Sequence, residues 1–514
     1  MQLLGDREDG ALVYREALFD AWLFGLVFDD WLDLPSADTI RLASGDRARS
    51  FGVGAGRVMT LGELPNYFLA DLPAEAILTP AVVSEACETL RRNRRQYLLG
   101  RPTETLLRTL GLVAEKWLDS EYPLRQLALK HGMERSGFPL CTIQKGLDGL
   151  FREMTPENLN HLILQDLGHV RRLDHPSSGE AESRTGRKSF AVGPELIAHV
   201  TGGVIPNPVI TSIVLGLLAR SAQFVKCARS TSFLPRLFAH SIYETDPKLG
   251  ACLEIVEWKG GDEALEAPLL QEADCVTVMG SDKAVEALEA RLPHRKRFLP
   301  YGHRVSFTYA TKSGLEDCNP RVLAEQIVND VAHWNQKGCL SPHVVYAEKG
   351  ATPSPDRLAQ LIADAFERRE QSEPRGEVSE RVAAMIANRR RLYEIRAANS
   401  KDTLVWKSQD STVWTVVFDN EPHFQKSCQN RFLYVKAVDA LADALGGADE
   451  VCGKVSCVGL CASLHEAQSV VERLARWGVT RVCPVGKMQE PSIAWRHDGR
   501  LSLEGLIAWT DWEL

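Results

Sequence analysis

The sequence predicts an α/β protein built on a doubly wound, largely parallel sheet and preceded by a mostly helical N-terminal region. From about residue 190, apolar runs of strand length alternate with helical patterns, which is typical of successive β-α units. Residues 1–135 lack this alternation and show helical patterns instead. Because 514 residues exceed the size of one ordinary core, we expect two or three packed domains.

Four short apolar runs predict the strands of a first sheet. Ligands of doubly wound sheets bind at the carboxyl ends of such strands. Before this sheet, Thr155 and Pro156 predict the N-cap and first residue of a helix. The strands are expected at residues 196–201, 222–227, 253–258 and 274–279, with helices at residues 209–219, 233–238 and 283–292.

The α/β pattern continues beyond residue 300 and surrounds one cysteine, Cys339. A helix over residues 319–334 precedes it and a strand over residues 344–347 follows it. Near the end of the chain, two short strands flank a helix over residues 464–477 that Gly478 closes. We therefore divide the chain into residues 1–135, 136–305, 306–445 and 446–514.

The composition is that of a globular protein, with 44% hydrophobic and 25% charged residues. The formal charge of −8 gives no support to nucleic-acid binding, which needs a basic face. The apolar runs at residues 17–28 and 211–219 are too short to span a membrane, and no secretory signal is expected. The 12 cysteines are scattered through a large chain, which favours reduced thiols and a cytoplasmic location.

Cys339 lies in the stretch Gln-Lys-Gly-Cys-Leu-Ser-Pro at residues 336–342. Gly338 lets the backbone approach a ligand closely, and a thiol between a helix and a strand is more exposed than one inside a strand. A thiolate there can attack a thioester, and hydride can then reduce the acyl-enzyme. Local sequence leaves the alternative open, which is an inert cysteine buried in a loop.

Three further places have the character of anion or cofactor sites, although a structural role is equally open at each. Asn207 lies in a turn that ends a strand and opens a helix, where a side-chain amide can stabilise an oxyanion. Gly280 and Ser281 occupy a similar strand-to-helix turn that suits a phosphate, but the Gly-x-Gly-x-x-Gly spacing is absent. Lys226 ends a strand and Arg229 follows it, so the pair can bind an anion or remain solvated.

A metal site is not expected. Cys452, Cys457, Cys461 and His465 have spacings that permit a cluster, but they fall in an apolar strand and its following helix without a Cys-x-x-Cys knuckle. His303 lies near the predicted domain boundary, where a structural histidine is the more common outcome.

Five ordered motifs resemble those of the LuxC-type acyl-CoA reductases, a family of the aldehyde dehydrogenase superfamily. The resemblance implies an aldehyde dehydrogenase-like fold with a cofactor domain at residues 136–305 and a catalytic domain at residues 306–445. It also implies a segment at residues 446–514 that returns to the cofactor domain. The motifs cover residues 146–150, 280–282, 297–307, 336–342 and 481–500.

The resemblance also assigns roles to the candidate residues. Cys339 falls on the superfamily's catalytic thiol and Asn207 on its oxyanion amide. Lys226 falls on the lysine that contacts the adenosine ribose, and Gly280 with Ser281 on the turn that meets the cofactor phosphates.

Three departures from the superfamily pattern refine these roles. The general-base glutamate of hydrolytic relatives is missing from residues 300–304, which favours thioester reduction over aldehyde oxidation. Arg229 replaces an acidic residue that binds ribose hydroxyls and would suit a 2′-phosphate, so NADPH is the expected cofactor. His343 replaces an expected glutamine four residues after the thiol, and the sign of its effect on the thiol pKa stays open.

The sequence thus predicts an NADPH-dependent acyl-CoA or acyl-protein thioester reductase that forms a fatty aldehyde through a cysteine thioester. The family works with an acyl-activating synthetase, and an acyl-carrier protein and a homo-oligomeric state are further expected partners. The alternatives are an aldehyde dehydrogenase that works oxidatively and an acyl-transfer or carrier-binding protein without redox activity. In a third alternative, Cys339 is incidental to a structural role.

Overall fold

A computed structural model describes residues 60–73, 75–228 and 231–513. The prediction for Arg229 and those for residues 1–59 therefore fall outside the described part of the chain. The described N-terminal part consists mainly of helices, as the sequence predicted. Thr155 caps one of them as expected, accepting a hydrogen bond from the Asn158 N–H. The helices are α1 (Pro80–Asn93), α2 (Thr103–Leu118), α3 (Pro123–Ser136), α4 (Leu140–Glu153) and α5 (Pro156–Leu167).

A five-stranded parallel sheet follows, in the order β4-β3-β2-β5-β6. The four strands predicted from the sequence are β2, β3, β4 and β5, and β6 adds a fifth strand at one edge. Strand order reverses between β2 and β5. The backbone just after β2 lies close to the end of β5, because the Gly202 N–H donates a hydrogen bond to the Met279 carbonyl. This reversal creates the crevice in which doubly wound sheets bind ligands. The strands are β1 (Lys188–Val192), β2 (Leu196–Thr201), β3 (Ala222–Cys227), β4 (Leu253–Glu257), β5 (Cys275–Met279) and β6 (Arg297–Tyr301).

Helices cover both faces of this sheet. The N-terminal helices take part, because their apolar faces share cores with the sheet and with the helices that connect its strands. The described part of residues 1–135 thus packs against the first sheet rather than standing apart from it. The remaining helices of this half are α6 (Glu180–Ser183), α7 (Asn207–Leu218), α8 (Phe233–Thr245), α9 (Pro247–Gly250), α10 (Glu263–Glu272) and α11 (Asp282–Glu289).

The chain then enters a seven-stranded sheet, in the order β13-β12-β7-β8-β11-β10-β9, in which only β9 runs antiparallel to its neighbour. Helices again pack on both faces and bury two separate cores. The strands are β7 (Val305–Ala310), β8 (Pro342–Glu348), β9 (Thr403–Lys407), β10 (Thr415–Asp419), β11 (Phe432–Val438), β12 (Val455–Cys461) and β13 (Val482–Pro484). The helices are α12 (Lys312–Asp317), α13 (Pro320–Ala332), α14 (Pro355–Ser372), α15 (Glu380–Asn399), α16 (Leu441–Gly447) and α17 (Leu464–Trp477). Across residues 60–73, 75–228 and 231–513, no helix combines the length and hydrophobicity needed to cross a bilayer.

The segment 446–514 does not return to the first sheet as one unit, which corrects the predicted division. Strands β12 and β13 extend the seven-stranded sheet beside β7, because their apolar runs pair in register with a parallel neighbour. Only the last part returns: Ile493, Leu503 and Leu506 join the core of the first half. The final strand β14 (Ala508–Trp512) pairs antiparallel with β1.

Candidate active site

Cys339 lies in a constrained turn between α13 and β8. The sequence predicted helix up to Trp334, but α13 ends at Ala332 and three consecutive residues adopt positive φ angles of 52°, 48° and 61° at positions 334–336. Gln336 fixes this turn, because its buried side-chain amide donates to the Pro342 and Phe432 carbonyls and accepts from the Phe432 N–H. Left-handed non-glycine residues persist only where their surroundings determine them, so the turn is held in one conformation.

The backbone at Cys339 is anchored on both sides. The Ser306 hydroxyl donates to the Cys339 carbonyl at 2.6 Å and accepts from the Cys457 N–H at 3.1 Å, which ties the turn to β7 and β12. Gly338 faces the first domain, where a Cβ atom would lie 2.9 Å from Cδ1 of Ile205. A side chain at position 338 would require the end of the Ile205 side chain to move, and glycine lets this turn lie close to the turn over residues 202–208.

The thiol of Cys339 is half-buried and weakly acidic in the absence of ligands. Burial, and then the Asp498 carboxylate, raise its pKa to about 11, against smaller opposing effects of the Ser456 hydroxyl and the Arg304 guanidinium. At neutral pH the group is thus a thiol, and its use as a nucleophile requires a proton acceptor.

Asp498 supplies a carboxylate to the site from a distant part of the chain. Its side chain is almost fully buried, and Oδ2 lies 3.4 Å from Nε of Arg304. Oδ1 is buried and accepts no hydrogen bond from any of the residues that the structure describes. The sequence motif that contains Asp498 was recognised without a role, because nothing local distinguishes this aspartate from a turn residue.

The residue before Asp498 takes part in an aromatic stack. His497 lies between Tyr301 and Trp495, with ring centroids 4.7 Å from each. Trp495 also packs against the small apolar cluster of Leu340, Cys457 and Met488 that contacts Cys339. The site thus joins an apolar wall to a buried charge.

Asn207 is the first residue of α7 and lies at the end of the turn that meets Gly338. Its amide nitrogen donates to the carbonyl of Gly146 at 3.0 Å, and its Oδ1 is buried without a partner among the described residues. One N–H of the amide is used in this way, and an amide carries two. The oxyanion role of Asn207 stays a prediction.

The carboxyl ends of β3 and β5 carry Lys226, Gly280 and Ser281, which are the described residues among those predicted to bind the cofactor. Ser281 caps α11 by accepting from the Ala284 N–H, with Gly280 before it, so the amino end of a helix faces the crevice. Lys226 is buried at 3% exposure without an ion pair in the described structure, and burial lowers its pKa. A buried cation at a crevice suits an anionic or polyhydroxy ligand.

The two histidines contact groups other than the thiol. Nδ1 of buried His343 accepts the Ser427 N–H at 3.1 Å, and burial lowers the pKa of the ring to about 3, so His343 is neutral. The Nε2 atom of His303 contacts the Lys426 ammonium, and its backbone N–H donates to Asp282 at 2.7 Å. Neither ring is among the main causes of the raised Cys339 pKa.

The residues considered for zinc are dispersed. The Cys452 thiol donates to the Trp477 carbonyl at 3.1 Å, whereas Cys457 lies 3.6 Å from Cys483 through their sulfur atoms. In the described part of the chain, histidine, cysteine and acidic side chains form no group that could hold a metal ion.

Comparison with known proteins places these features in context. The sequence profile of the family described as acyl-CoA reductase (LuxC) matches residues 100–509. Long-chain acyl-protein thioester reductases are similar: that of Vibrio harveyi is 26% identical over 29% of this chain and 31% of its own length. Long-chain acyl-protein thioester reductase 2 of Photobacterium leiognathi is 19% identical over 60% of this chain and 62% of its own length. The enzyme of Aliivibrio fischeri is 20% identical over 79% of this chain and 81% of its own length. The chain thus aligns with less than two thirds of the first two of these relatives.

Solved structures show the same fold. A bifunctional proline utilization A protein superposes with a TM-score of 0.64 at 14% identity, over 88% of this chain and 46% of that one. A benzaldehyde dehydrogenase from Corynebacterium glutamicum superposes with a TM-score of 0.63 at 13% identity, over 85% of this chain and 90% of that one. A 1-pyrroline-5-carboxylate dehydrogenase from Thermus thermophilus superposes with a TM-score of 0.62 at 13% identity, over 85% of this chain and 86% of that one. The predicted aldehyde dehydrogenase-like fold is thereby confirmed.

Proposed function

Since the chain belongs to the acyl-CoA reductase (LuxC) family, as its motifs indicated, we propose that it reduces a fatty acyl thioester to an aldehyde with NADPH. The observation that carries this proposal is the Cys339 thiol, which is half-buried on a rigid turn between the two sheets of an aldehyde dehydrogenase-like fold. A thiol held in this way reacts from a fixed position, which lowers the entropic cost of attack.

The reaction begins with attack of the Cys339 thiolate on the acyl carbonyl. The amide of Asn207 and the backbone N–H of Cys339 stabilise the oxyanion, and the leaving thiolate departs. When bound, the reduced nicotinamide supplies the hydride that converts the acyl-enzyme to a hemithioacetal. Collapse of that adduct releases the aldehyde and returns the thiol.

The wall beside the thiol suits an alkyl chain. Leu340, Met488 and Trp495 lie at or near Cys339 and are apolar, and Trp495 Nε1 is a buried donor without a partner among the described residues. An apolar wall with one free donor matches an acyl group, which has a long hydrocarbon part and a single carbonyl.

Reduction rather than hydrolysis is proposed because no glutamate occupies residues 300–304. His303 and Arg304 stand there, and Arg304 is paired with Asp498.

NADPH is proposed over NADH. In this proposal Lys226 and the turn at Gly280 and Ser281 would hold the cofactor, and the guanidinium of Arg229 would suit its 2′-phosphate, since guanidinium binds phosphate through two parallel hydrogen bonds. The donor is an acyl group on a thiol of CoA or of a protein. A protein-bound donor fits the names of the long-chain acyl-protein thioester reductases, and an acyl-activating synthetase or an acyl-carrier protein would present it.

A homo-oligomeric state is also proposed. The two-stranded β1-β14 arm exposes Trp509 at 38% and Trp512 at 42%. Large exposed aromatic side chains on one strand are typical of an interface between protein chains.

The function is tested by following oxidation of NADPH and NADH with acyl-CoAs from short to long chain and with acylated carrier protein. We expect NADPH-dependent aldehyde formation that requires a thioester. Formation of free acid from aldehyde and NADP⁺ without an acceptor thiol would instead support the oxidative enzyme. Thioester labelling without NADPH consumption would support a protein that only transfers acyl groups.

Replacing Asn207 by alanine is expected to lower kcat about 100-fold with little change in KM, because an oxyanion donor acts mainly in the transition state. Steady-state kinetics on purified variants measure this. The control is Asn158→Ala, which removes another side-chain amide that donates to a backbone carbonyl, but in α5 and outside the proposed site. An equal loss in both variants would show that Asn207 only supports the fold.

A further inference from the structure

We propose that Cys457 and Cys483 are a site of oxidative modification, at which a hydroperoxide joins their sulfur atoms in a reversible disulfide that lowers the activity of the protein. The proposed reaction gives neither cysteine a role. The effect on activity rests on the proposed function, whereas formation of the disulfide does not.

The two cysteines lie on neighbouring parallel strands at one edge of the seven-stranded sheet. Cys483 of β13 pairs in register with Gly459 of β12, and Cys457 lies two residues before Gly459 on the same face of that strand. The sulfur atoms of the two cysteines are 3.6 Å apart. They are thus in direct contact, and a disulfide requires them to close to about 2.05 Å.

Cys483 is the thiol that a hydroperoxide reaches first. It is partly exposed, whereas Cys457 is fully buried. Hydrogen bonding from Cys457 lowers the pKa of Cys483; burial opposes this effect, and the Arg481 guanidinium adds to it. An accessible cysteine with a lowered pKa beside a second thiol is the arrangement of a redox-sensitive pair.

Two other cysteines near the pair are less suited to this reaction. Burial raises the pKa of Cys339 to about 11, so this residue is a thiol at neutral pH, and hydroperoxides react with thiolates. Cys452 is exposed, but its thiol donates to the Trp477 carbonyl at 3.1 Å rather than to another sulfur. Oxidation should therefore select Cys483.

The pair is connected to the Cys339 turn through the backbone of β12. The Cys457 N–H donates to the Ser306 hydroxyl at 3.1 Å, and that hydroxyl donates to the Cys339 carbonyl at 2.6 Å. The Cys457 side chain also belongs to the apolar cluster that contains Leu340 and contacts Cys339. A force on Cys457 is thus transmitted to the turn that carries the proposed nucleophile.

Arg481 connects the pair to the apolar wall of the site. Its Nη1 atom lies 3.3 Å from the Cys457 sulfur and donates to the Met488 carbonyl at 2.7 Å. Its guanidinium lies over the Trp495 ring, 5.8 Å from the centroid. Arg481 directly precedes β13, so a shift of this strand moves Arg481 and the groups that it holds.

The disulfide requires such a shift. Strand spacing and rise per residue place the Cα atoms of diagonal neighbours about 8 Å apart, whereas bridged cysteines usually have Cα atoms about 4.4–6.8 Å apart. Strand β13 has three residues and pairs only with β12, so it moves more easily than β12, which is paired on both sides. A disulfide formed under this strain is also readily reduced.

The oxidation is balanced in atoms and electrons. The Cys483 thiolate attacks the hydroperoxide, the O–O bond breaks, and the sulfur becomes a sulfenic acid while the other oxygen leaves as an alcohol or water with the thiol proton. The Cys457 thiol then attacks the sulfenic sulfur, and the hydroxyl leaves as water with the second thiol proton. The two thiols lose two electrons and two protons, and the hydroperoxide gains them.

The test treats the reduced full-length protein with hydrogen peroxide, blocks the remaining thiols with N-ethylmaleimide and maps the peptides by mass spectrometry without a reductant. We expect linked peptides that contain Cys457 and Cys483. In the same samples, NADPH-dependent thioester reduction should fall at least about tenfold, because a misplacement of about 1 Å costs about 100-fold in rate. Dithiothreitol should remove the link and restore the activity.

Three variants separate this effect from general oxidation. Cys483→Ser keeps a small polar side chain at a partly exposed position, so it should be as active as wild type before treatment and keep its activity after it. Cys457→Ala should leave Cys483 as a sulfenic acid, which dimedone captures. The control is Cys452→Ser, which removes an exposed thiol just before β12 and should behave as wild type.

The outcomes are distinct. Inactivation without the linked peptides overturns the proposal, and so does full activity of the linked protein. Inactivation of Cys483→Ser at the wild-type rate would assign the loss to another residue and overturn the control of activity by this pair. If the reduced wild-type protein reduces no thioester, the proposed function fails, whereas the linked peptides would still support the disulfide.

Discussion

Replacing Cys339 by alanine is expected to lower thioester reduction by at least about 10⁴-fold, because loss of a covalent nucleophile leaves only binding and oxyanion stabilisation. Gln336 and Ser306 fix the turn that carries Cys339. They do so through hydrogen bonds to backbone groups and not to the thiol. The fold should therefore be unaffected. Aldehyde formation by chromatography and Tm measured on the same preparation test both statements.

The matched control is Cys141→Ser, because Cys141 has the same intermediate exposure but lies in α4. It should retain both activity and the acyl adduct. Acylated wild-type protein should carry its label on the peptide that contains Cys339. Substantial NADPH-dependent reduction by Cys339→Ala would contradict the proposed chemistry at its first step.

Much of the first sheet could be predicted from the sequence because its strands are buried on both faces. Strands β2 and β3 lie at the predicted residues, since a continuous apolar run between two turns has few other stable conformations. Helix α17 also has the predicted bounds, and Gly478 ends it with a φ of +105°. Local signals suffice where the determinants lie within a few residues.

The candidate site was less accessible to prediction because long-range contacts determine it. The turn at residues 334–336 looks like the end of a helix, and buried hydrogen bonds such as those of Gln336 to the distant Phe432 hold it in a left-handed form. The interaction of Asp498 with Arg304 likewise joins two segments far apart in the chain. Sequence motifs marked both places, but the long-range contacts made at each of them depend on the fold.

Replacing Gly146 by alanine is expected to impair both stability and catalysis. A Cβ atom there would lie 2.1 Å from Cζ2 of Trp334, which is 3% exposed and packed edge-to-face on Phe138. The rigid indole has little room to move, so overpacking should cost about 1–3 kcal/mol. Displacement of Trp334 would shift the Cys339 turn, and the Gly146 carbonyl that holds Asn207 would move with it.

Gly149→Ala separates this effect from helix propensity. Gly149 lies one turn further along α4 and a Cβ atom there would meet nothing within 4 Å, so alanine should stabilise the helix by about 1 kcal/mol. We therefore expect Tm to fall for Gly146→Ala and to hold or rise for Gly149→Ala. A small shift of the thiol lowers kcat steeply, because a misplacement of about 1 Å costs about 100-fold in rate. Wild-type Tm and kcat in Gly146→Ala would show that α4 and the Cys339 turn are not coupled, and that Asn207 keeps its place without Gly146.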